Sequence, residues 1–370
     1  MIPRLYESAE TAFTTFGICP LSDAISCTVT EERNGQYTLE MEYPTNGMWY
    51  DEIKVDRIIL AQAHESDAQT QPFRIETISG DMGGVVTIGA VHVSYQLNWM
   101  IAGRQAIASK AAQPSMRALG LHAVNPGFTF YSDIVTSKTI TIDEPTPVRS
   151  VLGGIEGSYL DTYGGEFEWD RYDVHLWSAR GEDNGVRITY GKNLTGLDWD
   201  TDVSDSYNAV QAYWLREEDG VATYVCGAIQ TVESDFAFQR LLITDATSEF
   251  QSQPTASQLD TYARQYANAN AVVPIVSVKV DFVPLWQTEE YKDYAVFERV
   301  GLCDTVTVVY PPLNLELKAK VVKTVYNVLL DRYDSIEIST IRQSLADTIY
   351  SMTKQIRKNS VGGVNRRLRK

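Results

Sequence analysis

The chain has 370 residues, of which 44% are hydrophobic, and its formal net charge is −16. This length exceeds what one ordinary hydrophobic core serves, so the composition predicts a globular protein of two to four compact units. No run of about 18 apolar residues occurs, which argues against a membrane-spanning helix. The start, MIPRLYESAE, lacks the apolar stretch of a secretory signal. We therefore expect a protein that is made in a cytoplasm.

The charge is unevenly distributed along the chain. All 48 acidic residues precede Thr353. The seven basic residues that follow it are Lys354, Arg357, Lys358, Arg366, Arg367, Arg369 and Lys370. The acidic body repels nucleic-acid phosphates, so DNA binding by the folded part is disfavoured. The four cysteines include no C-x-x-C pair and the four histidines no H-E-x-x-H pair, so we expect buried thiols, no metal and no cofactor.

Strand patterns dominate the first hundred residues. Asn34-Gly35 separates two alternating apolar segments, which predicts a β-hairpin whose second strand ends at Pro44. Three further alternating segments, at 56–60, 73–78 and 86–93, precede a short helix.

The middle of the chain combines glycine turns with acidic and aromatic residues. Gly153, Gly154, Gly164 and Gly165 are typical of tight turns. In Glu166-Phe-Glu168-Trp-Asp170 the three carboxylates alternate with aromatic residues, which predicts a solvated acidic face on a strand. The alternating apolar positions before Asp170-Arg171 and those after it have opposite parity, which predicts a bulge or bend there. Asn184-Gly185 predicts a second hairpin. The run Tyr190, Gly191, Lys192 and Asn193 is typical of a strand that ends in a sharp turn.

The last third of the chain repeats the order of three strand patterns followed by a helix. A helix is predicted after Pro254 from the spacing of Leu259, Tyr262, Ala263 and Tyr266. Strand patterns at 304–308, 319–325 and 335–338, which include Asp304 and flank Arg332 and Tyr333, again precede a helical pattern. That helix would carry an apolar seam, and its candidate oligomer-interface residues are Leu345, Ile349, Met352 and Ile356. The segment 359–370 is expected to be mobile.

Four blocks resemble one family of phage proteins. They are CPLSDAISCTVTEERNGQYTLEMEYP (19–44), FRIETIS with VVTIGAVHVSYQL (73–97), the stretch 150–197 with LGGIEGSYLDTYGGE and YGKNLTGL, and VGLCDTVTVVYPPLNLELKAKVVKTVYNVLLDRYDSIEI (300–338). In this order they are similar to the siphophage tail-tip proteins called tail-associated lysin or prophage endopeptidase tail proteins, which resemble the hub of contractile-tail baseplates.

The resemblance implies a mainly β fold with an α+β insertion. Two related antiparallel β-barrels per chain are expected, with an inserted mixed domain and a C-terminal helix. The predicted division is 1–95 with 196–240 for the first barrel, 96–195 for the insertion, 241–345 for the second barrel with a helix near 256–268, and 346–370 for the C-terminal helix and basic tail.

The resemblance also implies a structural role in the virion. A homotrimer would present six barrels to the six-fold tail tube and distal tail ring, adapt them to a three-fold tip, and close or gate the DNA channel. Expected partners are the hexameric distal tail ring protein, the tube, a receptor-binding protein or fibre below, and the tape measure protein or DNA in the lumen.

Two other function classes stay open. A cell-wall hydrolase would use paired carboxylates on the strand from Glu166 to Asp170, where residues two apart share one face. An adhesin for carbohydrate or a receptor would use the 7 Trp and 21 Tyr as stacking platforms. Family members with an enzymatic module carry it after the hub region, and this chain ends at Lys370. We therefore predict that the protein is not an enzyme and has no catalytic residues.

Overall fold

The computed structural model describes residues 2–65, 70–122, 127–192, 194–202, 206–218, 221–232, 236–250, 252–269, 275–282, 300–313 and 315–339. They form a mainly β protein, as the sequence predicts. The chain divides into two compact units, residues 2–198 with 278–339 and residues 199–277. No helix in the described ranges is long and apolar enough to cross a membrane.

The elements follow one another in chain order. In the first third they are β1 (Arg4–Tyr6), β2 (Cys19–Pro20), β3 (Ser26–Glu32), β4 (Tyr37–Pro44), β5 (Ile58–Ala61), β6 (Gln71–Gly80), β7 (Val85–His92), β8 (Ile101–Ala102), β9 (Gln105–Lys110), α1 (Ala112–Arg117), β10 (Leu121–His122) and β11 (Thr129–Ser132). In the middle they are β12 (Lys138–Ile142), β13 (Thr146–Pro147), α2 (Val148–Leu152), α3 (Tyr159–Tyr163), β14 (Glu166–Asp170), β15 (Asp173–Trp177), β16 (Arg187–Thr189), β17 (Leu194–Asp202), β18 (Ala209–Glu218), β19 (Val221–Cys226), β20 (Gln230–Thr231) and β21 (Leu241–Asp245). The last are α4 (Ala256–Ala269), β22 (Ile275–Phe282), β23 (Thr305–Tyr310), β24 (Leu315–Asn327) and β25 (Arg332–Ser339).

One sheet of 13 strands organises the larger unit. Its main path is β17-β22-β25-β24-β3-β4-β7-β6-β5-β1-β2, and β23 joins it by pairing with β24 and β16. Strands β3 and β7 alternate buried and half-buried positions, as expected of strands with one face in a core. The predicted Asn34-Gly35 hairpin is present, since β3 and β4 pair from Glu31 with Tyr37 onward and Asn34 has a φ of 56°.

Strands β6 and β24 run in the same direction within this sheet. Strand β3 is antiparallel to both β4 and β24, so β4 and β24 are parallel. Strand β7 is antiparallel to both β4 and β6, so β6 shares that direction. The turns that follow β6 and β24 therefore lie at the same end of the sheet.

Two antiparallel meanders, β5-β6-β7 and β23-β24-β25, match strand for strand. The residue two positions before each meander, Asp56 or Cys303, has a φ of 72°, which is uncommon outside glycine. Its backbone N–H donates to the carbonyl of Ile75 at 2.8 Å in the first meander and of Val321 at 2.9 Å in the second. The pairing register shifts directly after Ile75 and directly after Val321. Both second turns have four residues, 81–84 and 328–331.

The strand pairing differs from the predicted division of the chain. Of residues 196–240, only the part in β17 joins the sheet of residues 1–95, because β18 pairs with β19, β20 and β21 inside the smaller unit. The chain instead leaves the larger unit within β17 and returns within β22, next to the second meander. The predicted end of the insertion, residue 195, also differs from the structure. Strand β16 lies before that residue and already pairs with β23 of the large sheet. The predicted C-terminal helix and tail, 346–370, lie outside the described residues.

The second predicted hairpin, at Asn184-Gly185, is wrong. Strand β15 already has partners on both edges, β14 antiparallel and β11 parallel, so it offers no edge to the segment after Gly185. That segment forms β16 and pairs in parallel with β23. The bend expected near Asp170-Arg171 is a hairpin turn between β14 and β15, with Asp170 opposite Asp173 and a φ of 54° at Arg171.

The smaller unit is a sheet covered by one helix. Helix α4 spans the segment whose spacing predicts a helix, and Leu259, Ala263 and Ala267 pack on Val210 and Trp214. A capping box starts it: Thr255 N–H donates to Gln258 Oε1 at 2.8 Å, and Gln258 N–H donates to Thr255 Oγ1 at 3.4 Å.

We predict that Gly181→Ala destabilises the larger unit. A Cβ on Gly181 would meet the backbone of Cys303 and Asp304, which precede the second meander. Because backbone on both sides must shift, we expect the free energy of unfolding to fall by about 3 kcal/mol. Chemical denaturation measures it. Gly127→Ala is the control, since a Cβ there has nothing within 4 Å; equal losses in both variants would contradict the packing argument.

Candidate functional site

The candidate site is a buried polar cluster centred on Glu166, at the end of the Gly164-Gly165-Glu166 motif. Its side chain is 2% exposed. Arg33 Nη2 and Lys320 Nζ each lie 2.6 Å from Glu166 Oε1. The backbone N–H of Arg180 donates to Oε2 at 2.7 Å. One carboxylate thus joins the first hairpin, the strand β24 and the segment after β15.

The glycines before Glu166 allow the chain to reach this position. Gly164 and Gly165 have φ values of 72° and 97°, which L side chains rarely adopt. A Cβ on Gly165 would also meet the carbonyl of Trp177. Asn34 forms hydrogen bonds with the backbone on both sides of Glu166. Its Nδ2 donates to the Gly165 carbonyl at 3.1 Å, and its Oδ1 accepts from the Phe167 N–H at 2.7 Å. The predicted motif residues Asn34, Gly164, Gly165 and Glu166 therefore meet.

Two further ion pairs lie beside Glu166. Arg180 Nη1 contacts Glu31 Oε1 at 2.7 Å, and both side chains are largely buried. Lys323 Nζ contacts Glu32 Oε1 at 2.7 Å across the β3 and β24 pair. Burial alone would lower the pKa of Arg180, but the charge and hydrogen bond of Glu31, together with the charges of Cys303 and Glu168, outweigh it and raise that pKa, so the guanidinium stays charged.

The expectation of a solvated acidic face is wrong at Glu166. Two basic side chains and one backbone N–H bind its carboxylate in the interior, as described above. A protein tolerates a buried charge when it has such partners. Burial raises the pKa of Glu166, but the hydrogen bond from Lys320, the charge of Arg33 and the Arg180 N–H together hold it below its ordinary value. Glu166 is therefore ionised at neutral pH and has no proton to give as a general acid.

The other two acids of the strand also have structural partners. Trp177 Nε1 donates to Glu168 Oε2 at 2.6 Å, and Gln71 Nε2 donates to Asp170 Oδ1 at 2.9 Å. A hydrolase would need one protonated and one ionised carboxyl facing a substrate, and this strand does not present that arrangement. Within the described ranges, no group of three or more His, Cys, Asp and Glu side chains is placed to hold a metal ion.

The remaining predicted motif residues lie at turns and strand ends. Gly153 ends α2, Gly154 follows it, Gly35 lies in the first hairpin turn and Pro44 ends β4. Tyr190 N–H donates to the Val309 carbonyl at 3.0 Å, and Gly191 and Lys192 form the turn after β16. Asn193 and the four seam residues Leu345, Ile349, Met352 and Ile356 lie outside the described residues.

Three predicted residues belong to the second meander. Asp304 caps the turn before β23, since its two oxygens accept from the N–H groups of Glu182 and Gly301 at 2.9 and 2.7 Å. Arg332 and Tyr333 begin β25, where Tyr333 packs edge-on against Tyr326 at 5.4 Å and Arg332 is half-exposed.

No local pattern in the sequence marks Arg149, a buried cation near the cluster. It donates to Ser94 Oγ at 2.9 Å and to the Gly35 carbonyl at 3.2 Å. Its guanidinium lies over the rings of Tyr95 and Trp169, at 4.0 and 4.7 Å from their centroids. Burial lowers the pKa of Arg149, and the ring faces offset part of that cost. Local sequence patterns also do not mark four other charged residues of the cluster, because their partners are distant in sequence. These residues are Glu31, Arg33, Arg180 and Lys320.

A cavity of about 280 Å³ lies next to the Arg180 and Glu31 pair. Glu168, Asp304, Thr324 and Tyr333 line it, with others. His64 and Glu65 also line it. The cluster beside the cavity joins the first hairpin, β24 and the segment after β15 through the contacts of Glu166.

We predict that Glu166→Gln destabilises the protein strongly. The amide leaves Arg33 and Lys320 without a counter-charge in the interior, which should lower the free energy of unfolding by about 3 kcal/mol. Urea denaturation measures it. Glu316→Gln is the matched control, because its pair with Arg187 at 2.8 Å is exposed on both sides and should change stability by less than about 1 kcal/mol.

We also predict that the difference between wild type and Glu166→Gln closes in acid. The folded pKa of Glu166 is below the ordinary value of 4.5, so the unfolded chain takes up the proton first as the pH falls. The stabilisation is thus complete above pH 4.5 and is lost as the pH falls through the folded pKa. Denaturation at several pH values measures the gap, and a gap that stays constant below pH 4.5 would contradict the assignment.

Comparison with known proteins gives one family match and several structures of similar fold. The profile of the prophage endopeptidase tail family matches residues 182–349. No curated protein matches the chain. A prophage tail protein from Listeria monocytogenes has the same fold, with a TM-score of 0.59 and 13% identity over 96% of this chain and 100% of its own.

Two further solved structures share the fold. A tail protein of prophage MuSo2 from Shewanella oneidensis aligns with a TM-score of 0.60 and 12% identity over 92% of this chain and 98% of its own. A tail protein from Neisseria meningitidis aligns with a TM-score of 0.58 and 10% identity over 91% and 95%. The profile match thus covers less than half of the chain, and the three solved tail proteins share its fold at low sequence identity.

Proposed function

We propose that the protein is the structural hub of a siphophage tail tip, located in the virion tail. In this proposal it assembles as a homotrimer, adapts the six-fold tail tube and distal tail ring to a three-fold tip, and closes or gates the DNA channel. The observation that carries the proposal is the pair of matched meanders, β5-β6-β7 and β23-β24-β25.

The match makes two parts of one chain nearly equivalent. Both meanders have the same register shift, the same left-handed residue before the first strand and four-residue second turns. We infer that each is the core of one β-barrel. Three chains with two such modules supply six similar positions, which is what a partner of six-fold symmetry requires.

The charge of the chain suits a DNA channel. The residues up to Thr353 contain all 48 acidic residues. Such a body repels DNA phosphates, and this keeps DNA from adhering to the wall that it must pass. The basic residues after Thr353 would serve contacts with acidic neighbours instead.

The proposed role is not enzymatic, although the family name mentions an endopeptidase. The three candidate carboxylates of β14 support this, because each accepts a hydrogen bond or ion pair from within the fold. Incubating the purified protein with peptidoglycan tests it: we expect no soluble fragments. Fragment release that is lost in Glu168→Gln would favour the hydrolase, and binding to whole host cells would favour the adhesin.

We predict that the protein forms trimers in solution. Light scattering on a size-exclusion column, over a wide range of loading concentrations, should give a mass that approaches three chains as concentration rises. A limiting mass of two or four chains would contradict the hub proposal, since neither number converts two modules per chain into six positions. Glu316→Gln, which changes only an exposed pair, serves as the control for nonspecific charge effects.

A further inference from the structure

His92 is a buried titratable residue that takes no part in the cluster around Glu166. It ends strand β7, and its side chain is fully buried. The imidazole stacks on the ring of Tyr37, with 4.4 Å between centroids, and meets the ring of Phe73 edge-on at 5.7 Å. The imidazole is therefore packed between aromatic side chains of the large sheet and shielded from water.

Both nitrogens of this ring form hydrogen bonds. The backbone N–H of Ser94 donates to Nδ1 at 3.2 Å, so Nδ1 carries no proton. The proton of the neutral ring is then on Nε2, which donates to Gln71 Oε1 at 3.2 Å. The bonds of His92 thus require the neutral form of the ring.

The two partners of His92 hold other parts of the chain on the large sheet. Gln71 Oε1 also accepts from the backbone N–H of Arg171 at 2.8 Å, and Gln71 Nε2 donates to Asp170 Oδ1 at 2.9 Å. Ser94 Oγ accepts from Arg149 Nη1 at 2.9 Å. The neutral imidazole therefore lies between two contacts, one to the turn between β14 and β15 and one to helix α2.

The groups that face the ring do not favour a positive charge there. Burial raises the pKa of Tyr37 on β4 well above its ordinary value, so this side chain stays neutral. Arg149 on α2, which also lies against Tyr95, carries the same charge that a protonated imidazole would have. From β6 the imidazole meets an uncharged ring and an amide, and the Asp170 carboxylate lies beyond that amide.

A second proton on the imidazole would break this arrangement. It removes the acceptor at Nδ1 and turns two N–H groups toward each other. Burial and the charge of Arg149 hold the pKa of His92 well below its ordinary value of 6.5 in the closed structure. In an open form, with the turn and α2 away from the ring, water restores the ordinary pKa. The open form thus takes up the proton first, and the closed form loses stability as the pH falls below 6.5.

We propose that His92 is an acid-sensitive latch, which holds the β14–β15 turn and α2 on the large sheet at neutral pH and releases them in mildly acidic medium. The other end of β14 is held by Glu166, whose stabilisation is complete above pH 4.5. Between that pH and 6.5, the hairpin of β14 and β15 stays attached at Glu166 and loosens at its turn. This inference does not depend on the proposed hub function.

Hydrogen exchange followed by mass spectrometry tests the latch in the full chain. An open form that binds one proton with the ordinary histidine pKa becomes about 25-fold more populated between pH 7 and pH 5. After correction for the intrinsic exchange rates, we expect the protection of peptides from residues 168–177 to fall by that factor. Helix α4 is the internal reference, because residues 199–277 contain no histidine, and its protection should not change.

Two substitutions remove the titrating ring. His92→Asn keeps an acceptor for the Ser94 N–H, as asparagine does before a helix, and His92→Gln keeps a donor that reaches toward Gln71. Both should lower protection of the turn, but by the same amount at pH 5 and pH 7. Glu166→Gln is the matched control at the other end of β14. It should keep the 25-fold dependence, since the contribution of Glu166 itself is complete above pH 4.5.

Four outcomes would overturn the latch and leave the hub proposal untouched. The first is equal protection of the turn at pH 5 and pH 7 in the wild type. The second is a pH dependence that persists in both His92 variants, which would assign it to another group. The third is an equal loss in α4, which would indicate general acid unfolding. The fourth comes from NMR of the wild type with carbon-13-labelled histidine: all four histidine signals in the charged form at pH 5.

Discussion

The pairing of β3 with β24 is the contact on which the larger unit depends. It joins segments 291 residues apart, as in the Lys323 to Glu32 ion pair, and places the second meander beside the first hairpin. Closing a loop of that length costs about 5 kcal/mol in chain entropy from the length term alone. The cross-strand pair of Val29 and Tyr326, both fully buried, contributes about 2 kcal/mol per side chain toward offsetting it, and the hydrogen-bonded ladder adds to that.

Glu166 links a third element, β14, to the paired strands β3 and β24. Its carboxylate binds Arg33 beside β3 and Lys320 on β24, so the register of the two strands and the position of β14 are fixed together. Buried ion pairs add little net stability, because desolvation offsets most of the attraction. Their effect is to penalise any arrangement in which one partner is missing. A cluster of this kind specifies one joint among alternatives.

The sequence predicted local features well and long-range pairing poorly. The Asn34-Gly35 hairpin, the helix at 256–269 and the strands of both meanders follow from turn chemistry and apolar spacing. Asn184-Gly185 carries the same turn chemistry but forms no hairpin, because the edge of β15 that it needed is taken by β11. The burial of Glu166 was missed for a related reason: Lys320 lies 154 residues away, and alternation along one strand does not show which face another segment covers. Only the fold shows that Asn34 contacts the residues on both sides of Glu166.

The two meanders are similar without being identical, and the differences lie where their neighbours differ. The outer partner of β5 is antiparallel, whereas the outer partner of β23 is parallel. The second meander has an additional register shift near Tyr326, where β24 also pairs with β3. In the proposed trimer, six positions built from such pairs would alternate between two slightly different surfaces. The six-fold partner proposed for them would have to accommodate that alternation.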